Sequence, residues 1–181
     1  MTSVTTIPVE DWFTADDLDA LPDDGQRYEL LDGELLATPA PRWIHQNVVG
    51  ELFFALRSVV PTGMRVAAAP VDVRFGPKRQ LQPDVLVVHD GPLDVPRIET
   101  VPLLVVEVLS RSTRSRDLVK KRNAYQEAGV ASYWVVDTKV PSLLVLELVD
   151  GAYAERRFTG EEAFDATAPF PVTIVPAALV R

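Results

Sequence analysis

Hydrophobic and polar residues change period several times along the chain, and each change marks an element. TADDLDAL, Thr14 to Leu21, opens on a threonine suited to an N-cap and carries acids in its first turn, which predicts a short helix broken by PDDG. RYELLDGELLAT reads as two short strands around the Asp32-Gly33 turn, a hairpin, and PAPR (39–42) as a rigid linker. From His45 to Val60, the residues Val48, Leu52 and Leu56 fall on one stripe with Val49 and Phe53 beside it, so a helix is expected up to Pro61-Thr62-Gly63. MRVAAAPVDVRF alternates through Val71, Val73 and Phe75 and predicts a strand. LQPDVLVVH, Leu81 to His89, predicts another with proline near its start. LLVVEVLS has the near-continuous apolar run of a strand buried on both faces. RSRDLVKKRNAYQEAG is expected to be a helix closed by Gly129. SYWVVD and LLVLELVD are predicted strands with AYAERRFT as a further partner, and FPVTIVPAALV an edge strand or tail. Hairpin, helix, strands, helix, strands implies an α/β arrangement around a mixed sheet.

Composition changes this picture little but bounds the chemistry. With 181 residues, 47% hydrophobic and 24% charged, the chain suits one globular domain spanning 1–181. It has no cysteine, which excludes disulfides and thiolate metal sites. A formal net charge of -8 repels nucleic acid on average, so any such binding needs a local basic patch. No apolar run reaches membrane-spanning length, and MTSVTTIPVEDW lacks the features of a signal peptide; the expected location is the cytoplasm.

Two acids interrupt apolar strands: Asp84 in QPDVLVV and Glu107 in LLVVEVL. By strand alternation Asp84 shares a face with Leu86 and Val88, and Glu107 with Val105 and Leu109. If the strands are neighbours, the two carboxylates converge and repel unless a cation lies between them. Hard oxygen ligands suit Mg²⁺ or Mn²⁺. The alternatives are that Asp84 caps a turn after Pro83 and that Glu107 is half of a buried ion pair. On the following helix, Leu118, Tyr125 and Ala128 mark the apolar face, and Lys121 falls inside it while Lys120 and Asn123 point away. Lys121 is therefore placed to reach back to Glu107 or to a phosphate, unless it snorkels or pairs with Asp117. Two carboxylates and a lysine are the minimal set for metal-assisted phosphodiester cleavage.

QPDVLVV followed by LLVVEVLSRSTRSRDLVKKRNAYQEAGVASYWVVD resembles the Uma-two putative restriction-endonuclease family of the PD-(D/E)XK nuclease superfamily, and YELLDGELL and the helix opening at His45 resemble its N-terminal part. The resemblance spans roughly residues 26–150. It implies a restriction-endonuclease-like fold, a mixed central β-sheet flanked by α-helices, here with an N-terminal β-hairpin. It implies Asp84 and Glu107 as metal ligands. The superfamily's usual lysine position, two residues after the glutamate, is Leu109 here, and Lys121 matches the family's own lysine, which looks like a migrated catalytic residue.

Glu29 and Glu34, flanking the hairpin turn, match acids in the family's opening motif. Glu34 is the one expected to line the site, and Glu29 to pair with an arginine, if they are not simply solvated. His45 is a candidate for phosphate contact or base chemistry, and otherwise a packing or capping residue. Arg111 to Arg122 holds six basic residues against one acid. Arg111, Arg114, Arg116, Lys120 and Arg122 could bind a nucleic-acid backbone, or form a solvated helix face. Ser110, Ser112 and Thr113 could cap the helix or touch phosphate, and Trp134 is expected in the core. Together these predict a Mg²⁺-dependent endonuclease acting on DNA, with double-strand cleavage calling for a homodimer. The rival expectations are a non-catalytic module that keeps the fold, and a hydrolase of a smaller phosphate substrate.

Overall fold

The protein was analysed as a computed structural model, which describes residues 5–6, 13–21, 26–38, 40–110 and 116–181. Strand β1 (Thr5–Thr6) precedes helix α1 (Ala15–Asp19). The Thr14 hydroxyl accepts from the Asp17 amide, and the Asp17 carboxylate accepts from the Thr14 amide, a reciprocal capping box. Strands β2 (Arg27–Leu31) and β3 (Glu34–Thr38) form the expected hairpin, with Asp32 at φ 54° and Gly33 at φ 82°. Both turn residues sit in the left-handed region that Asp-Gly tolerates. Helix α2 (Trp43–Val59) follows, then β4 (Met64–Ala68), β5 (Val73–Gly76), β6 (Arg79–Leu81), β7 (Val85–His89) and β8 (Leu104–Val108). A π-helical stretch, Arg116–Lys121, leads into helix α3 (Arg122–Glu127). The chain closes with β9 (Ser132–Asp137), β10 (Ser142–Val149), β11 (Ala152–Thr159), β12 (Phe164–Ala166), β13 (Val172–Ile174) and a 3-10 helix, Pro176–Val180.

The strands form three sheets. Six make the central mixed sheet, in the order β11-β10-β9-β8-β7-β4, with only β8 and β9 parallel. The crossover between that parallel pair contains the π-helical stretch and α3, as a parallel connection requires. Five strands make an antiparallel sheet ordered β1-β3-β2-β6-β5, and β12 pairs with β13.

Strand alternation splits the core between the two faces of the central sheet. On one face Val85, Val87, Leu104, Val106, Trp134, Val136 and Val145 meet Val48, Val49, Leu52 and Leu56 of α2. Burying each of those α2 side chains contributes about 1.5–3 kcal/mol. On the other face Val105, Leu109, Tyr133, Val135 and Leu144 meet Ala124 and Tyr125 of α3, and Leu31, Leu36 and Leu81 of the five-stranded sheet. The five-stranded sheet is therefore packed against the same face as α3.

Three expectations change. MRVAAAPVDVRF is two strands in different sheets, separated at Pro70, which has no N–H for a ladder. LQPDVLVVH divides in the same way: Leu81 ends β6 in one sheet and Val85 begins β7 in the other. The helix before Gly129 is π-helical over its first six described residues, a difference too local for hydrophobic spacing to register. FPVTIVPAALV takes the first of its two expected forms, an edge strand: β13 pairs with β12, and Phe170, Ile174 and Leu179 are buried in the α2 core. PDDG (22–25), Pro39 and residues 111–115 lie outside the described residues.

Candidate active site

The candidate site lies where the two large sheets and α3 meet. The β7–β8 ladder begins at Val85 opposite Val106, and Asp84 and Glu107 are the next residues along their two segments. The Val108 amide donates to Asp84 Oδ2 at 2.8 Å, which ties the Asp84 side chain to the strand that carries Glu107. Asp84 and Glu107 are only 5% and 4% exposed. At that depth an uncompensated carboxylate costs several kcal/mol, so both must be paired.

Lys121 supplies the compensation for Glu107. It is 3% exposed, and its Nζ donates to Glu107 Oε1 at 2.8 Å and to Glu29 Oε1 at 2.9 Å. Lys120, one residue earlier, is exposed, as the helical-face argument requires. The Tyr125 hydroxyl, one helical turn on, donates to the same Glu107 Oε1 at 2.8 Å. Its ring is fixed between Phe75, at 5.6 Å between centroids, and Tyr133, at 4.9 Å. Burial, reinforced by the Glu107 charge, holds the Tyr125 phenol well above its usual range, so it stays a hydrogen-bond donor.

Asp84 has a separate partner in the first turn of α2. His45 Nε2 lies 3.2 Å from Asp84 Oδ2, and His45 Nδ1 is buried with no hydrogen-bond partner among the described residues. Burial alone would raise the Asp84 pKa. The His45 hydrogen bond and charge, the Val108 amide and the Lys121 charge outweigh it and hold the carboxyl below its ordinary range. Burial works against protonated His45, and the bond to Asp84 overcomes it, so the imidazole is raised above its ordinary value even though the Arg27 charge opposes this.

The structure places the two N-terminal acids differently from each other. Glu29, expected to meet an arginine, is 3% exposed, bonds Lys121 and accepts the Gln82 amide at 2.9 Å. Glu34, expected to line the site, is paired at the surface with Lys120, at 2.6 Å. Strand alternation does not separate the two, because Glu34 pairs with Leu31 and so shares the face of Glu29; Glu34 sits at the turn end of the hairpin, where its side chain is partly exposed. Of the basic patch, Lys120 is held by Glu34 and Arg122 Nη1 lies 3.2 Å from Glu155. Arg111 and Arg114 lie outside the described residues, as do Ser112, Thr113 and the side chains of Arg116 and Asp117. Trp134 is fully buried in the core.

Sequence reasoning used Tyr125 only as a marker of the apolar face and missed its hydroxyl. The i, i+4 spacing from Lys121 was the available signal. Gln82 carried no signal, because its role depends on contacts with β2.

The donor chemistry can be tested against a divalent metal. Among the described residues, no group of three or more His, Asp or Glu side chains is gathered as a metal cluster. Mg²⁺ commonly takes one or two carboxylates and completes its shell with water and substrate oxygens. Asp84 and Glu107 fit that requirement.

The model of the Uma2 family, the Uma-two family above, described as "Putative restriction endonuclease", matches residues 15–178. A crystal structure of a putative nuclease belonging to DUF820 from Anabaena variabilis superimposes with a TM-score of 0.76 at 19% identity, covering 93% of this chain and 97% of that one. That likeness bears out the mixed α/β fold. No curated protein matches. Among the described residues, no helix is long and apolar enough to cross a membrane.

Proposed function

The chain belongs to the Uma2 family of putative restriction endonucleases, and from that premise we propose that it is a Mg²⁺- or Mn²⁺-dependent endonuclease that hydrolyses DNA phosphodiester bonds. The observation that carries this reading is Lys121, buried and bonded to Glu29 and Glu107, with Asp84 tied to the Glu107 strand by the Val108 amide. Asp84 and Glu107 would hold the metal. A divalent ion bound there supplies Lewis-acid polarisation of a phosphoryl oxygen and a more acidic water.

The side chains themselves do the positioning. Tyr125 and Lys121 both donate to Glu107 Oε1 and fix the rotation of that carboxylate. His45 and the Val108 amide do the same for Asp84. Glu29 holds the Lys121 ammonium at a defined point, from which it can stabilise charge on a phosphate or orient the attacking water. Groups set in advance in this way need no reorganisation during the reaction.

Purified protein should nick or cut plasmid DNA with Mg²⁺ or Mn²⁺, and chelator or Glu107→Ala should stop it. Chelator-insensitive cleavage, or no action on any nucleic acid, overturns the proposal. A homodimer would offer one site to each strand of a duplex, and sedimentation tests that. A non-catalytic module is the second reading, favoured by the fact that Lys121 is already bonded to two carboxylates. Titration calorimetry separates the two: such a module takes up no divalent ion at Asp84 and Glu107.

A further inference from the structure

Arg27 stands out among the described cations near the site. It opens β2, two residues before Glu29, so the two side chains share a face. Glu29 is buried, whereas Arg27 is half-buried at the end of the strand. Most described arginines near acids are paired: Arg74 with Asp16 and Asp19, Arg79 with Asp32 and Glu127, Arg97 with Asp19 and Glu99. Arg27 has no carboxylate partner among the described residues.

Its guanidinium is nevertheless held in place. Nε donates to Gln82 Oε1 at 2.8 Å, and Nη2 donates to the Gln82 carbonyl at 3.0 Å. Gln82 is in turn anchored by its amide to Glu29 and by its Nε2 to Asp72 Oδ1, each at 2.9 Å. Only Pro83 separates Gln82 from Asp84. Gln82 also borders a groove of about 1080 Å³ that runs past Arg65 and Arg97, so the clamp adjoins open space. The charge of Arg27 is felt at His45, the partner of Asp84.

A neutral amide that orients a guanidinium leaves it without a carboxylate among the described residues. A forked, charged donor held in this way, two residues from Glu29, suits a phosphate oxygen. We infer that Arg27 binds a phosphate of the nucleic-acid strand beside the Asp84–Glu107–Lys121 site, with Gln82 as its positioning residue. This rests on the nuclease reading and adds to it a contact that engages substrate without holding metal.

The test is binding of a fluorescein-labelled DNA duplex and its single strand, read by anisotropy across a salt series with chelator present so that no strand is cut. Wild type, Arg27→Gln and Arg27→Lys are compared after thermal unfolding shows each to be folded. Arg27→Gln is expected to weaken binding roughly tenfold and lower the salt slope by about 1, while Arg27→Lys keeps the slope. A purely structural clamp on the Gln82 turn would leave the slope unchanged in both variants. Should wild type bind and Arg27→Gln show the wild-type slope, the inference is overturned and the nuclease reading survives. Should wild type bind neither DNA, both fall.

Discussion

Tyr125 shows how much a single hydroxyl can contribute at this site. Its ring is buried among aromatic neighbours, so Tyr125→Phe preserves packing and removes only the bond to Glu107. A hydrogen bond to a buried charge is worth about 2 kcal/mol, and the loss should appear as that drop in urea stability. The variant should also need more Mn²⁺ for half-maximal cleavage, because Glu107 loses one of the donors that orient it. Unchanged stability together with unchanged metal demand would remove Tyr125 from the site. His45 offers a test through pH. Its raised pKa means that its contribution is fully present below 6.5 and is lost as pH rises through the folded value. The lowered Asp84 pKa means that its contribution is present above 3.8 and is lost as pH falls through the folded value. The stability gap between wild type and His45→Gln should therefore be widest between those limits and shrink on the alkaline side. Urea midpoints across pH measure it, and a gap that widens with rising pH contradicts the pair.

At the scale of elements, the segment from Arg116 to Gly129 carries the most consequence. It leaves β8, places Lys121 and Tyr125 over Glu107, and delivers the chain to the parallel strand β9. Gly129 ends it at φ 80°, and a Cβ there would meet nothing within 4 Å. Gly129→Ala should then cost only the left-handed backbone penalty, about 1–2 kcal/mol. Cleavage per folded molecule should stay unchanged, since neither Lys121 nor Tyr125 moves. Equilibrium denaturation read beside the nicking rate checks both halves, and a lost rate at full folding would mean that this turn governs Lys121. Helices, hairpin and the Thr14 cap were legible because their periods and turn residues are local. The split strands were not. Pro83 read as a tolerated proline near a strand start and Pro70 lay inside an expected strand, yet each marks a crossing between sheets, and local sequence does not say which sheet a strand joins.

Across the whole molecule, the site is also a joint. Glu29 belongs to the five-stranded sheet, Glu107 to the central one, and Lys121 bonds both. Leu31, Leu36 and Leu81 share a core with Tyr125, Tyr133 and Val135. The two sheets should therefore unfold together. Intrinsic fluorescence, which includes the buried Trp134, and far-UV dichroism should give coincident urea transitions. Separate transitions would show that the first sheet is an independent unit. The sequence by itself determined the hairpin, the helical faces, the unusual burial of Glu107 and the placement of Lys121 toward it, because alternation and helical period act within a few residues. Only the tertiary structure decided that Glu29 rather than Glu34 meets Lys121, that His45 reaches Asp84, and that Gln82 holds Arg27. Each of those contacts joins residues far apart in the chain, and their pairing depends on how two sheets pack and not on any local spacing.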